Sequence, residues 1–223
     1  MNIDRAIGIF GLIISIIGIT IINKLDLSWV ILGIGIALTI YSIYLELRPS
    51  LTNKYFCFTS DFSNNDIRIT KGKKVTVCLV NKSNTTQLIA SGLTSTGEYK
   101  NFKTNIGNII IQTDDCGAKK VICNLNEPLR KGTEISWILT YDLINSFNEI
   151  EEEVGVPCLT PGESGSIHLI FNKERIPISI KGIISKNGKE NIVKEFEFNH
   201  DSPEIFWRIK VKFGLLYVIR WKW

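Results

Sequence analysis

Two uncharged apolar runs near the start of the chain, Ala6–Ile22 and Leu27–Leu45, constrain it more than any other feature of its 223 residues. The first reads AIGIFGLIISIIGITII and the second LSWVILGIGIALTIYSIYL, 17 and 19 residues long. At about 1.5 Å per residue they would reach roughly 25 and 28 Å as helices, against a bilayer hydrocarbon core of about 30 Å. Only Asn23, Lys24, Leu25 and Asp26 separate them, enough to turn a helical hairpin. The pattern therefore predicts a two-helix transmembrane anchor over residues 1–47, with spans at 6–22 and 27–45. A cleaved leader fits less well, because Arg5 is offset by Asp4 and no small-residue cleavage site follows.

Gly8, Gly11, Ser15 and Gly18 recur at intervals of three and four, which places them on one face of the first helix. Such a stripe lets helix backbones approach closely, either within the hairpin or between chains of a homo-oligomer. Arg5 precedes the first run, Lys24 lies between the two, and Arg48 and Lys54 follow the second. The positive-inside rule then predicts a multi-pass membrane protein with both termini in the cytoplasm and the lipid bilayer as a partner.

The charges of residues 1–45 cancel, so the net charge of +4 belongs to the rest of the chain. That is too mild for general nucleic-acid binding. Five cysteines (Cys57, Cys78, Cys116, Cys123, Cys158) form no CxxC pair, and three lie in apolar runs where a free thiol packs as a small hydrophobe. This suits a reducing compartment.

After a linker at 48–54, residues 55–223 read as β throughout. Short β-branched and aromatic runs alternate with glycine, asparagine and lysine turns. Lys186-Asn187-Gly188-Lys189 is a hairpin signal. Leu143–Glu153 is the one candidate helix, and it reads equally as an acidic loop. The expected fold is a membrane-anchored all-β protein, the hairpin followed by one antiparallel β-sandwich or barrel.

The C-terminus is the most regular stretch. Ile205, Trp207, Ile209, Val211 and Phe213 alternate with Phe206, Arg208, Lys210 and Lys212, and after Gly214 the alternation resumes to Trp223. Read as a hairpin, it puts aromatics on one face and Arg208, Lys210, Lys212, Arg220 and Lys222 on the other. Those five cations are either a solvated face guarding an edge strand or a seat for an anion.

Catalytic signals are few. His168 and His200 have no third ligand at metal spacing, so no metal or cofactor is expected. Gly162–Ser166 misses the nucleophile-elbow spacing, and Lys71-Gly72-Lys73-Lys74 lacks the glycines of a phosphate loop; both read as turns. The acidic run Glu149, Glu151, Glu152, Glu153 reads as a solvated face. No enzyme is indicated.

Two N-terminal apolar helices followed by one β-rich domain resembles, in layout, the two-transmembrane, β-strand-rich effectors of bacterial cyclic-nucleotide antiphage systems. That resemblance implies a membrane-anchored sensor or effector of antiviral defense. Its β-domain would bind a cyclic oligonucleotide or other nucleotide-type anion, and its hairpin would assemble in or perturb the membrane. The five C-terminal cations are the residues nominated for the phosphates, with aromatics for stacking. A tethered, non-catalytic protein-interaction domain is the alternative.

Overall fold

The computed structural model describes Ile13, Ile16 and residues 27–47, 49–64, 66–115, 117–158, 162–199 and 201–223. The chain divides into two compact units, Met1–Pro49 and Ser50–Trp223. The first contains helix α1 (Leu27–Leu47). Apart from Ile13 and Ile16, the run Ala6–Ile22 lies outside the described residues, and so do Gly8, Gly11, Ser15 and Gly18. Among the described residues no helix is long and apolar enough to cross a membrane. The two-helix transmembrane hairpin expected from the sequence is therefore corrected, and with it the multi-pass placement with cytoplasmic termini. The physical reason is that an uncharged run measures only how much surface avoids water. It does not say what takes that surface up.

The second unit is mostly β. Its strands are β1 (Leu51–Asp61), β2 (Ile69–Val80), β3 (Thr85–Leu93), β4 (Glu98–Thr104), β5 (Asn108–Thr113), β6 (Lys119–Leu129) and β7 (Glu134–Ile144). They continue with β8 (Glu151–Pro157), β9 (Gly162–Ile170), β10 (Ser179–Lys186), β11 (Lys189–Phe196), β12 (Glu204–Lys210) and β13 (Leu216–Lys222). In place of one antiparallel sandwich or barrel there are three sheets, ordered β12-β9-β1-β2-β7-β4, β11-β10-β13-β8 and β3-β6-β5. One pairing is parallel: β1 runs alongside β9, Tyr55 opposite Ser164 and Thr59 opposite His168. The stretch read as linker is already strand from Leu51, and the candidate helix Leu143–Glu153 is instead the end of β7, a loop and the start of β8.

Two local readings fail for one shared reason. Gly72 and Gly165 were turn signals, yet both lie inside strands and face the interior. A Cβ at Gly72 would fall 2.0 Å from Tyr141 Cε2, and one at Gly165 2.4 Å from Phe56 Cζ. Each glycine is the floor on which an aromatic of the neighbouring strand lies. By contrast, Asn187 and Gly188 do form the turn between β10 and β11, both with positive φ (51° and 77°).

The core sits between the sheets. Phe62, Phe147, Phe171, Trp221 and Trp223 form an edge-to-face and stacked cluster with ring centroids 5.0–6.2 Å apart. The Arg175 guanidinium lies 3.9 Å from the centre of the Trp223 ring. Trp207 of β12 meets Tyr217 of β13 at 5.8 Å, so the six-stranded and four-stranded sheets face one another there.

Candidate functional site

The five nominated cations do not share a face. β12 pairs with β9 and β13 with β10 and β8, so the expected C-terminal hairpin is two strands of different sheets. Parity along each strand is as the alternation requires: Trp207 is 8% and Trp221 1% exposed, both inward. The outward sides of the two sheets then point away from each other. Arg208 and Lys210 lie on one, Arg220 and Lys222 on the other, and Lys212 is exposed beyond the end of β12.

On β13 the cations are already neutralised. Arg220 donates to Glu153 from Nε (2.8 Å) and Nη2 (2.7 Å), and to Glu190 from Nη1 (3.0 Å) and Nη2 (2.8 Å). Lys222 pairs with Glu151 at 3.1 Å. The acidic run that read as solvated surface is strand β8, placed by register directly opposite: Glu153 beside Arg220 and Glu151 beside Lys222. Hydrogen bonds from Arg220 hold the Glu190 carboxyl below its ordinary range, and the bonds to Glu190 and then Glu153 raise Arg220 in turn. Both cations of β13 are thus already paired with acids.

The other side differs. Following the register from β12 across the six-stranded sheet gives one outward row: Phe206, His168, Thr59, Lys73, Thr140 and Lys103. Neighbouring strands lie about 4.8 Å apart, so Lys73 stands roughly 10 Å from His168 on one side and from Lys103 on the other, with a threonine hydroxyl in each gap. No carboxylate belongs to that row. Among the described residues Lys73 and Lys103 have no ion-pair partner, and neither has Arg208 one row along. The adjacent row is mixed, with Lys71 between Asp61 and Asp142. Asp142 accepts a hydrogen bond from Asn101 Nδ2 (2.7 Å), which a bulge in β4 turns toward it. An open depression of about 750 Å³ lies over these two rows, lined by the cations Lys71, Lys73 and Lys103, by His168, and by the carboxylates Asp61 and Asp142 of the mixed row.

At the end of the row stands an aromatic. Phe206 is 45% exposed on the outward side of an edge strand, where burial gives it no reason to be. His168 meets it edge-on at 5.8 Å, and the Arg208 guanidinium lies 5.7 Å from its ring. His168 Nε2 is 2.9 Å from Glu204 Oε2; a carboxylate only accepts, so Nε2 carries the proton and the ring is held upright.

Chemistry of bond-making kind finds little here. Ser166 is buried and hydrogen-bonded to Tyr55 at 2.8 Å, and Ser164 donates to the Lys54 carbonyl at 3.4 Å, so neither serine has the histidine as its partner. Among the described residues no group of three histidines, cysteines or acids could hold a metal ion. His200 and Cys116 lie outside the described residues.

No protein-family model matches the chain, and no curated protein matches it in sequence. Among solved structures, a two-domain M1 zinc metallopeptidase bound to L-tryptophan is similar over 77% of this chain and 43% of its own, at 10% identity and TM-score 0.41. An M1 zinc metallopeptidase from Deinococcus radiodurans is similar over 77% and 42%, at 10% identity and TM-score 0.40. The chain thus spans less than half the length of these structures, and a likeness this slight bears on neither its site nor its activity.

Proposed function

We propose that the β unit is a non-catalytic binding module for a phosphate-bearing, nucleotide-type ligand, held across the outward side of the six-stranded sheet. The observation that carries this reading is the row Phe206, His168, Thr59, Lys73, Thr140, Lys103. It offers a stacking ring, a set of hydrogen-bond donors and two cations with no carboxylate among them. Phosphates compete well for lysines that have no acidic partner, and base stacking on an aromatic is worth about 1–3 kcal/mol. Roughly 10 Å between cations suits a ligand with more than one phosphate, such as a cyclic di- or oligonucleotide, better than a single phosphate.

The test is a thermal-shift and calorimetric screen of the full chain against cyclic dinucleotides, cyclic trinucleotides and inorganic phosphate. The reading expects a saturable response to one of the cyclic nucleotides, reduced about tenfold or more by Phe206→Ala and by Lys73→Gln with Lys103→Gln. A response that survives both changes would place the ligand elsewhere. Silence toward every nucleotide would remove the reading.

A further inference from the structure

Strand β2 carries consecutive lysines on opposite sides of one sheet, and the inward one is out of place. Lys73 points outward with Lys71, whereas Lys74 shares the inward parity of Gly72, Thr76 and Cys78. Register sets it between Phe58 of β1 and Leu139 of β7. There it lines a cavity of about 330 Å³ inside the β unit, whose walls include Phe56, Phe58, Trp137, Leu88 and Val156. That volume lies at the lower end of the roughly 300–1,000 Å³ of small-molecule sites.

Among the described residues Lys74 is the one charge that lines the cavity, no aspartate or glutamate does, and Lys74 has neither an ion-pair nor a hydrogen-bond partner. The other titratable groups along the wall are Cys78, Cys158 and Tyr99. Burial pushes Cys78 up to about 11 and Tyr99 up to about 12, and it raises Cys158 as well, so all three are neutral at pH 7. Lys74 is half-buried, and the burial it has lowers it below the usual lysine range, the direction expected of an ammonium with little water and no counter-charge. A lysine in such a place gives up its proton or receives an anion from outside.

We propose that this cavity is a binding site for a small amphipathic carboxylate, with the acid head paired to Lys74 Nζ and the apolar body against Phe56, Phe58 and Trp137. The walls decide against a multiply charged ligand, since a second negative charge would find no second cation. The Thr76 hydroxyl, on the same inward parity of β2, can donate to the remaining carboxylate oxygen. The site is independent of the outward row, which lies on the other side of the same strand.

The experiment titrates the full chain with decanoate, decanol and decyltrimethylammonium below their aggregation limits, following thermal stability and the fluorescence of the tryptophans. Decanoate should bind saturably and about tenfold or more tightly than decanol, with the cation silent. Lys74→Met should fold and should bind decanoate and decanol alike. In the wild-type chain the preference for decanoate should fade as pH rises and Lys74 loses its proton, a readout that stands even if the variant fails to fold. Equal affinity for decanoate and decanol in the wild-type chain overturns the proposal, as does the absence of saturable decanoate binding or undiminished preference in Lys74→Met.

Discussion

β12 and β13 are written in nearly the same code, a buried aromatic alternating with a cation, and they end in opposite states. On β13 each cation meets an acid of β8 or β11: Arg220 is shared between Glu153 and Glu190, and Lys222 takes Glu151. On β12 the neighbour is β9, which sets Ser166 beside Arg208 and Ser164 beside Lys210. The difference teaches that a strand's own charge pattern does not make a binding face. The adjacent strand decides whether a cation is spent on structure or left for a ligand.

The widest break in this comparison is through the core the two strands share. Trp221→Ala should cost about 3–5 kcal/mol, enough to consume much of the stability of an ordinary domain. Trp207→Ala should cost somewhat less, since Trp221 is held in the aromatic cluster with Phe62, Phe147 and Phe171. Denaturant melts of the full chain check both, and a silent Trp221→Ala would mean the sheets do not face each other as described. Gly72→Ala comes next, at about 1–3 kcal/mol, because its methyl group must displace the Tyr141 ring.

Smaller effects separate the two strands themselves. Arg220→Gln should lower stability by about 1 kcal/mol or less, as partly exposed ion pairs do. Arg208→Gln should move it by about 0.5 kcal/mol or less. The pH dependence sharpens the point. Glu190 has a folded-state range depressed by Arg220, so its contribution is present above its unfolded value and is lost as pH falls through the depressed folded one. Acid melts should therefore show a destabilising limb below pH 4.5 that Arg220→Gln flattens and Arg208→Gln leaves intact. Lys74 carries the opposite sign. Its folded-state range is lowered, so stability should rise with pH from there up to the unfolded value, and Lys74→Met should stabilise the chain at pH 7.

What the sequence discloses here is local. Period-two alternation places Trp207 and Trp221 inward, and Asn187-Gly188 marks its hairpin, because both depend on a few adjacent residues. Sheet membership depends on partners far along the chain. Nothing in β12 or β13 says that one pairs with β9 and the other with β8 and β10, or that β1 and β9 run parallel. The outward row is assembled from β12, β9, β1, β2, β7 and β4, so Lys73, Lys103 and His168 could not be grouped in advance. Glycine misled twice for the opposite reason. Gly72 and Gly165 look like turns when read along the chain, but they serve the ring of a neighbouring strand. The apolar runs misled through length, which gave two membrane spans where no described helix is long and apolar enough to cross.

The contrast between the two outward faces is tested most directly by measuring nucleotide affinity in paired double variants of the full chain across a range of salt. Lys73→Gln with Lys103→Gln should weaken the response to cyclic nucleotides about tenfold or more and flatten its salt dependence by roughly two counterions, while leaving the melting curve close to wild type. Arg220→Gln with Lys222→Gln should lower the melting temperature and leave affinity and salt slope unchanged. The reverse pattern, with affinity lost from the β13 pair and retained in the other, would contradict the account.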